Sequence, residues 1–153
     1  SKESKKIHSN NIKLRFIGDT SIFTKSLQLK IKEIERETFS NKRLVLNVAL
    51  NYGGRLDIVN SVNKFYSNKK NINIITEKNI NSGLYTKGQS DVDLLIRTGG
   101  QQRMSNFLLW QSAYAELFFS KKLWPDFDEK IFVDALYFFQ NTERKFGSIS
   151  KST

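Results

Sequence analysis

Apolar positions change their spacing several times along this 153-residue chain, and each change marks an element. Lys13 to Ile17 alternates polar and apolar residues with the period of two that a strand requires, and Gly18-Asp19-Thr20-Ser21 supplies turn and helix-capping residues behind it. From Ile22 to Phe39 the apolar residues Phe23, Leu27, Ile31 and Ile34 recur at steps of three or four, which predicts a helix packed on a sheet. Leu44 to Leu50 is apolar at every position but Asn47, the pattern of a central strand covered on both faces. Asn51-Tyr52-Gly53-Gly54-Arg55 then turns the chain into a helix with Ile58, Val62 and Phe65 on one face.

Residues 67 to 91 form a Lys-, Asn- and Ser-rich connection in which ITEKNINSGLY holds one short helix. Asp93, Leu94, Leu95 and Ile96 read as a short buried strand that breaks on Gly99-Gly100, so Arg97 stands at its carboxyl end. After Ser105 the segment NFLLWQSAYAELFF is too apolar to be exposed; it predicts a short helix and then a strand ending near Phe119. The only proline, Pro125, closes that stretch. A last helix starts at the cap Asp128 and runs towards Phe146, with Phe132, Leu136 and Phe139 on one stripe. With no internal repeat and no dividing linker, residues 1–153 read as a single domain of α/β class, a mostly parallel central sheet flanked by helices.

In such a sheet ligands bind where the loops gather at the carboxyl ends of the strands. Three loops qualify: Gly18-Asp19-Thr20, Asn51 to Arg55, and Arg97 to Ser105. Only the last offers two guanidinium groups, a hydroxyl and glycine backbone together. An arginine presents a planar fork of donors that matches phosphate oxygens in pairs and stays charged at physiological pH, so two of them suit a diphosphate. Glycines let backbone amides approach an anion, and Ser105 at a helix start adds a hydroxyl beside free amides. Spacing alone leaves the plainer readings open: Arg97 pairing with a carboxylate, Arg103 as a surface charge, Ser105 as a helix cap. Glu116, between Ala115 and Leu117, needs a cation or a hydrogen-bonding partner if it is buried, which fits a metal ligand and a structural salt bridge equally.

Composition narrows the function classes. A hydrophobic fraction of 39% with 12% aromatics supports a globular chain with a core. Cysteine is absent, which removes disulfides, thiolate zinc sites and a cysteine nucleophile and agrees with a reducing compartment; the single histidine, His8, excludes a His-rich metal site. No apolar run approaches the roughly 20 residues that span a bilayer, and SKESKKIHSNN lacks the apolar core of a signal peptide, so a soluble, cytoplasmic protein is expected. A net charge of +10 favours anionic partners without choosing among nucleic acid, lipid and phosphorylated small molecules. Much of it is lysine beside asparagine, as in SNKKNIN and SKESKK, which is how a solvated basic surface looks. Trp110, Tyr114, Phe118, Phe119 and Trp124 read as core or subunit interface rather than a platform for bases.

The segment DLLIRTGGQQRMSNFLLWQSAYAELFF, followed by LWPDFDE, resembles the signature region of the cis-prenyltransferases, in particular the undecaprenyl diphosphate synthases, and LRFIGD and NVALNYGGRLDIV resemble two further blocks of that family in the same order. The resemblance covers roughly residues 11 to 147. It implies cis condensation of isopentenyl diphosphate with an allylic diphosphate such as farnesyl diphosphate, with Mg²⁺, to give undecaprenyl diphosphate or a similar polyprenyl diphosphate for cell-wall assembly. Carried over by position, it gives Arg97, Arg103 and Ser105 to the diphosphate of isopentenyl diphosphate, with Met104 contributing through its backbone, and Glu116 to Mg²⁺. It further implies a homodimer built largely from the segment after Ser105, an apolar tunnel that Leu44 to Leu50 helps to wall, and peripheral membrane contact through the lipid product. Nucleic acid is not an expected partner.

This sequence also departs from the family pattern. The Asp-Gly-Asn-Gly-Arg type loop, whose aspartate binds metal and allylic diphosphate, is absent, as is the Asn-containing segment associated with proton removal. The expectation is therefore a chain that begins after that amino-terminal portion, carries the isopentenyl diphosphate site and has little condensation activity alone. Gln101 stands where an acidic residue is common, which leaves the loop more positive. Two other readings stay open: a non-catalytic subunit or inactive fragment of a prenyltransferase, and a basic nucleic-acid-binding domain.

Overall fold

The structure, a computed structural model, describes residues 7, 9–67 and 74–144. The basic segment at 68–73, the start SKESKK, His8 and the expected helix end at Phe146 lie outside the described residues. The chain divides into two compact units, Ser1–Gly88 and Gln89–Thr153.

In the first unit, β1 (Ile12–Ile17) pairs in parallel with β2 (Leu44–Ala49), from Ile12 opposite Leu44 to Ile17 opposite Ala49. Between them runs α1 (Lys25–Glu37), which packs on β1. It starts later than the apolar spacing predicts. Asp19 first caps a 3₁₀ turn over Thr20–Ile22, its Oδ1 accepting from the Ser21 amide at 2.9 Å, and Thr24 then caps the α-helix. Ile31 is buried on the sheet side, whereas Leu27, one turn earlier in the expected stripe, remains exposed.

The outer edge of β1 is closed by side chains. The Leu14 amide donates to Thr38 Oγ1 at 3.0 Å, the Phe16 amide to Glu35 Oε1 at 2.8 Å, and Asn41 Nδ2 donates to the Ile12 carbonyl at 2.8 Å. Alternate residues of a strand turn their polar groups to the same edge, and positions three apart share a helix face, so Glu35 and Thr38 meet Phe16 and Leu14 in turn. Thr38 is completely buried. Thr38→Val keeps its shape but leaves the Leu14 amide without an acceptor, and is expected to cost about 1–3 kcal/mol of stability in a thermal melt. Thr38→Ser, which keeps the hydroxyl, should lose less.

β2 was expected to be covered on both faces, but Leu44, Val45 and Leu46 are 53%, 41% and 43% exposed. The strand exists as the sequence indicates; its coverage does not, because α1 lies against β1 and, among the described residues, β2 pairs with β1 alone. At the carboxyl ends of both strands the two loops brace each other: the Asp19 amide donates to the Asn51 carbonyl at 3.3 Å and Asn51 Nδ2 to the Asp19 carbonyl at 3.2 Å.

α2 (Gly54–Ser67) follows, and the predicted stripe Ile58, Val62, Phe65 is half-covered. Its most buried positions are instead Gly54, Asp57 and Ser61. Asp57 accepts from the Tyr52 hydroxyl and from the Tyr85 amide, both at 3.0 Å, and Ser61 Oγ donates to the Ile80 carbonyl at 2.5 Å. These bonds seat α3 (Glu77–Gly83), the short helix expected in ITEKNINSGLY, against α2. Thr76 and Asn79 close its amino end in a capping box.

In the second unit β3 (Leu94–Arg97) pairs in parallel with β4 (Glu116–Phe119). α4 (Glu129–Gln140), capped by Asp128 through the Ile131 amide at 3.0 Å, packs on β4. The buried position of α4 is Ala135, while Phe132 and Leu136 of the expected stripe are exposed, so the packed face is rotated by about one residue. Pro125 opens a 3₁₀ turn at Trp124–Asp126. The helix predicted after Ser105 does not form. Ser105, Asn106 and Leu108 have φ of 47°, 64° and 44°, left-handed values that no α-helix accommodates, and the segment runs as successive turns.

Candidate functional site

Arg97 is the last residue of β3, as its position before the glycine pair indicates. The chain leaves the strand through Gly99 and Gly100, with φ of 85° and 75°. A Cβ on Gly99 would meet nothing within 4 Å, so conformation and not space calls for glycine there. The two amides are not available to an anion, contrary to the expectation from sequence. Gly99 donates to the Lys122 carbonyl at 2.7 Å and Gly100 to the Ser120 carbonyl at 2.9 Å, because the parallel neighbour β4 continues alongside and claims them.

The stitched turn sends the chain back over the strand end. One guanidinium nitrogen of Arg97, Nη1, donates to Ser105 Oγ at 2.8 Å and to the Arg103 carbonyl. Arg103 Nη1 donates to Gln101 Oε1 at 2.6 Å. Among the described residues neither arginine has a carboxylate within 4.0 Å, so the reading of Arg97 as half of a strand-end ion pair is not what the structure shows. Ser105 is not a helix cap either: it is a left-handed turn residue braced by Arg97. Since Ser105 Oγ accepts from Arg97, its own proton is free to be donated elsewhere.

Arg97, Arg103, Met104 and Ser105 together line one cavity of about 270 Å³, with Leu95, Ile96 and Phe107 as its apolar part. Arg97 is half-buried and Arg103 exposed, so the inner cation is fixed and the outer one can adjust.

Glu116 does not line that cavity. It opens β4 opposite Leu94, at the other end of the ladder from Arg97. Its carboxylate stands 4.0 Å from Arg144 Nε, while Arg144 Nη1 binds Asp93 Oδ1 at 2.6 Å and Nη2 donates to the Tyr114 carbonyl at 3.4 Å. The guanidinium also lies over the Phe139 ring, 5.4 Å from its centroid. Arg144 thus ties the end of α4 to the starts of β3 and β4, a role sequence reasoning missed: it lies 51 positions from Asp93, and no local pattern marks it. Among the described residues no group of three or more His, Cys, Asp or Glu side chains could hold a metal ion.

A family model, Prenyltransf, described as undecaprenyl diphosphate synthase, matches residues 1–147. The chain belongs to the undecaprenyl diphosphate synthase family. A ditrans,polycis-undecaprenyl-diphosphate synthase ((2E,6E)-farnesyl-diphosphate specific) of Haemophilus ducreyi is 50% identical over 149 residues, covering 95% of this chain and 62% of the relative. The protein of the same description from Escherichia coli K12 is 49% identical over 149 residues, covering 95% and 59%. The chain therefore spans about three-fifths of the length of the curated relatives it matches. Among solved structures, lavandulyl diphosphate synthase of Lavandula x intermedia, in complex with dimethylallyl diphosphate, has a TM-score of 0.89 at 35% identity, covering 97% of this chain and 66% of that one. A probable undecaprenyl diphosphate synthase of Campylobacter jejuni has a TM-score of 0.85 at 36% identity, covering 96% and 68%. The parallel strand pairs and flanking helices are thus those of the α/β undecaprenyl diphosphate synthase fold. Membership in this family does not favour the nucleic-acid reading of the positive charge.

Proposed function

We propose that the protein acts in cis-prenyl chain elongation, condensing isopentenyl diphosphate with an allylic diphosphate such as farnesyl diphosphate, and that the cavity at the end of β3 holds the diphosphate of isopentenyl diphosphate. The observation that carries this reading is the convergence of Arg97, Arg103, Met104 and Ser105 on one cavity. In the reaction the allylic carbon–oxygen bond breaks and its electron pair leaves with the diphosphate. The isopentenyl double bond attacks the resulting cationic carbon, and a proton is lost from the new chain. The residues of this loop hold the nucleophile. Arg97, pinned by Ser105 and the Arg103 carbonyl, presents its remaining donors as a preformed fork; Arg103, tethered only to neutral Gln101, closes on the outer phosphate; Ser105 donates its hydroxyl proton. The exposed apolar residues Leu44, Val45 and Leu46 support β2 as part of the wall for the growing chain.

Magnesium is the cation proposed for the reaction. Glu116 fits it as a single carboxylate ligand: it is half-buried, accepts no hydrogen bond among the described residues, and has its nearest cation at 4.0 Å, whereas Mg²⁺ commonly takes one or two carboxylates with phosphate oxygens and water. An ion held there would stand at the opposite end of the β3–β4 pair from the Arg97 cavity, so it would not touch the diphosphate in that cavity. Residues 1–153 are proposed to belong to one catalytic domain. Exposed Tyr114, Leu123, Trp124 and Tyr137 support a homodimer through the second unit. No helix among the described residues is long and apolar enough to cross a membrane; a cytoplasmic enzyme touching the bilayer through its lipid product is the proposed setting.

Calorimetric titration of the chain with isopentenyl diphosphate tests the site. Saturable binding is expected, weakened about ten- to a hundredfold by Arg103→Ala and weakening further as salt rises. Absence of binding to a folded chain would reject the assignment, whatever its condensation activity.

A further inference from the structure

The first unit holds a larger pocket, of about 570 Å³, that shares no residue with the Arg97 loop. It opens between the closed edge of β1, α1, α2, α3 and the segment that follows α3. Three cations line it: Arg15 from β1, Lys64 from α2 and Lys87 beyond α3. Arg15 and Lys64 are held by neutral groups. Arg15 Nη2 donates to the Tyr85 carbonyl at 2.8 Å, and Lys64 Nζ donates to the Gly83 carbonyl at 3.1 Å while lying 5.0 Å over the Tyr85 ring. The one carboxylate in the wall, Glu35, spends an oxygen on the Phe16 amide, and among the described residues it forms no ion pair with any of the three. Burial holds the Tyr85 phenol above its ordinary range, so it stays neutral and adds no opposing charge.

A solvated basic face is the plainer account of exposed lysines, but it does not produce a concave site with a half-buried arginine steered by a backbone carbonyl. Three cations against one carboxylate, around a volume well above that of one anion, suit a phosphate carried on an organic group. We propose that this pocket binds the phosphate of an organic phosphoester through Arg15, Lys64 and Lys87. Both a lipid headgroup and a free phosphoester present that chemistry.

The test uses inorganic diphosphate as the probe, in calorimetry on Arg103→Ala, which weakens the other anion site. Binding should persist there, and Lys64→Ala with Lys87→Ala in the same background should weaken it at least tenfold. Both lysines are exposed, so the variant folds; Arg15→Gln, which also loosens Tyr85, is the secondary change. No binding in Arg103→Ala, or unchanged binding in the lysine variant, overturns the proposal. Co-sedimentation with vesicles of phosphatidylglycerol and phosphatidylcholine in equal parts separates the sources. Loss of both vesicle and diphosphate binding identifies a headgroup site, and loss of diphosphate binding alone a free phosphoester. Loss of vesicle binding alone overturns the pocket and leaves only a charged face.

Discussion

Replacing Arg97 by alanine is expected to weaken isopentenyl diphosphate binding more than a hundredfold, and replacing Arg103 by alanine ten- to a hundredfold. A charge-assisted bond to phosphate is worth about 1.5–3 kcal/mol, which sets the Arg103 figure. Arg97 carries the same contact and a second burden, because its guanidinium braces Ser105 Oγ and the Arg103 carbonyl and so holds the other two binding groups in place. Arg103→Lys should recover part of the loss, since a point charge keeps the attraction without the fork. Arg97→Lys should recover less, because one ammonium cannot hold serine, carbonyl and phosphate together. Calorimetry with isopentenyl diphosphate reads all four variants. A change below about 0.5 kcal/mol in Arg103→Ala is the outcome of an ordinary surface charge and would remove it from the site.

Gly18→Ala should destabilise the first unit strongly. A Cβ at this position would stand 2.1 Å from the Leu50 carbonyl oxygen and 3.1 Å from Tyr52 Cα, both backbone atoms, and the residue holds φ of 110°. Strain of that kind costs about 1–3 kcal/mol by itself, and the collision must also part the two loops that Asp19 and Asn51 hold together, so a loss of at least about 3 kcal/mol is expected. At roughly 4–8 °C per kcal/mol for a unit of this size, the melting point should fall by more than about 12 °C. Gly88→Ala is the control. It has φ of 78° with nothing within 4 Å of the added atom, and should cost only about 1 kcal/mol. Equal, small losses in both variants would show that the loops part freely.

Much of this molecule is legible in local pattern. Period-two alternation located β1, near-continuous apolar runs located β2 and the β3 region, and cap residues located α4 through Asp128. The candidate loop was legible too, because two arginines and a serine behind a glycine break are a chemical pattern as well as a conformational one. What pattern could not carry is pairing between distant residues. Asp57 and Ser61 read as polar helix positions, yet they are buried because Tyr85 and Ile80 supply partners 28 and 19 positions away. Gly99 and Gly100 looked open to an anion until β4 was placed beside them. The helix expected after Ser105 failed for a backbone reason: apolar side chains satisfy a helical pattern, and nothing in NFLL announces three left-handed residues.

The side-chain seal along β1 gives the first sheet a polarity in how it can recruit. Amides that a newly arriving strand would need are already taken by Thr38 and Glu35, and the Ile12 carbonyl is taken by Asn41. Templated addition, whether by another stretch of polypeptide or by a misfolded copy, is opposed on that side. The three residues that close the edge therefore act as a gatekeeper against runaway strand stacking, and removing them should show itself first as concentration-dependent aggregation.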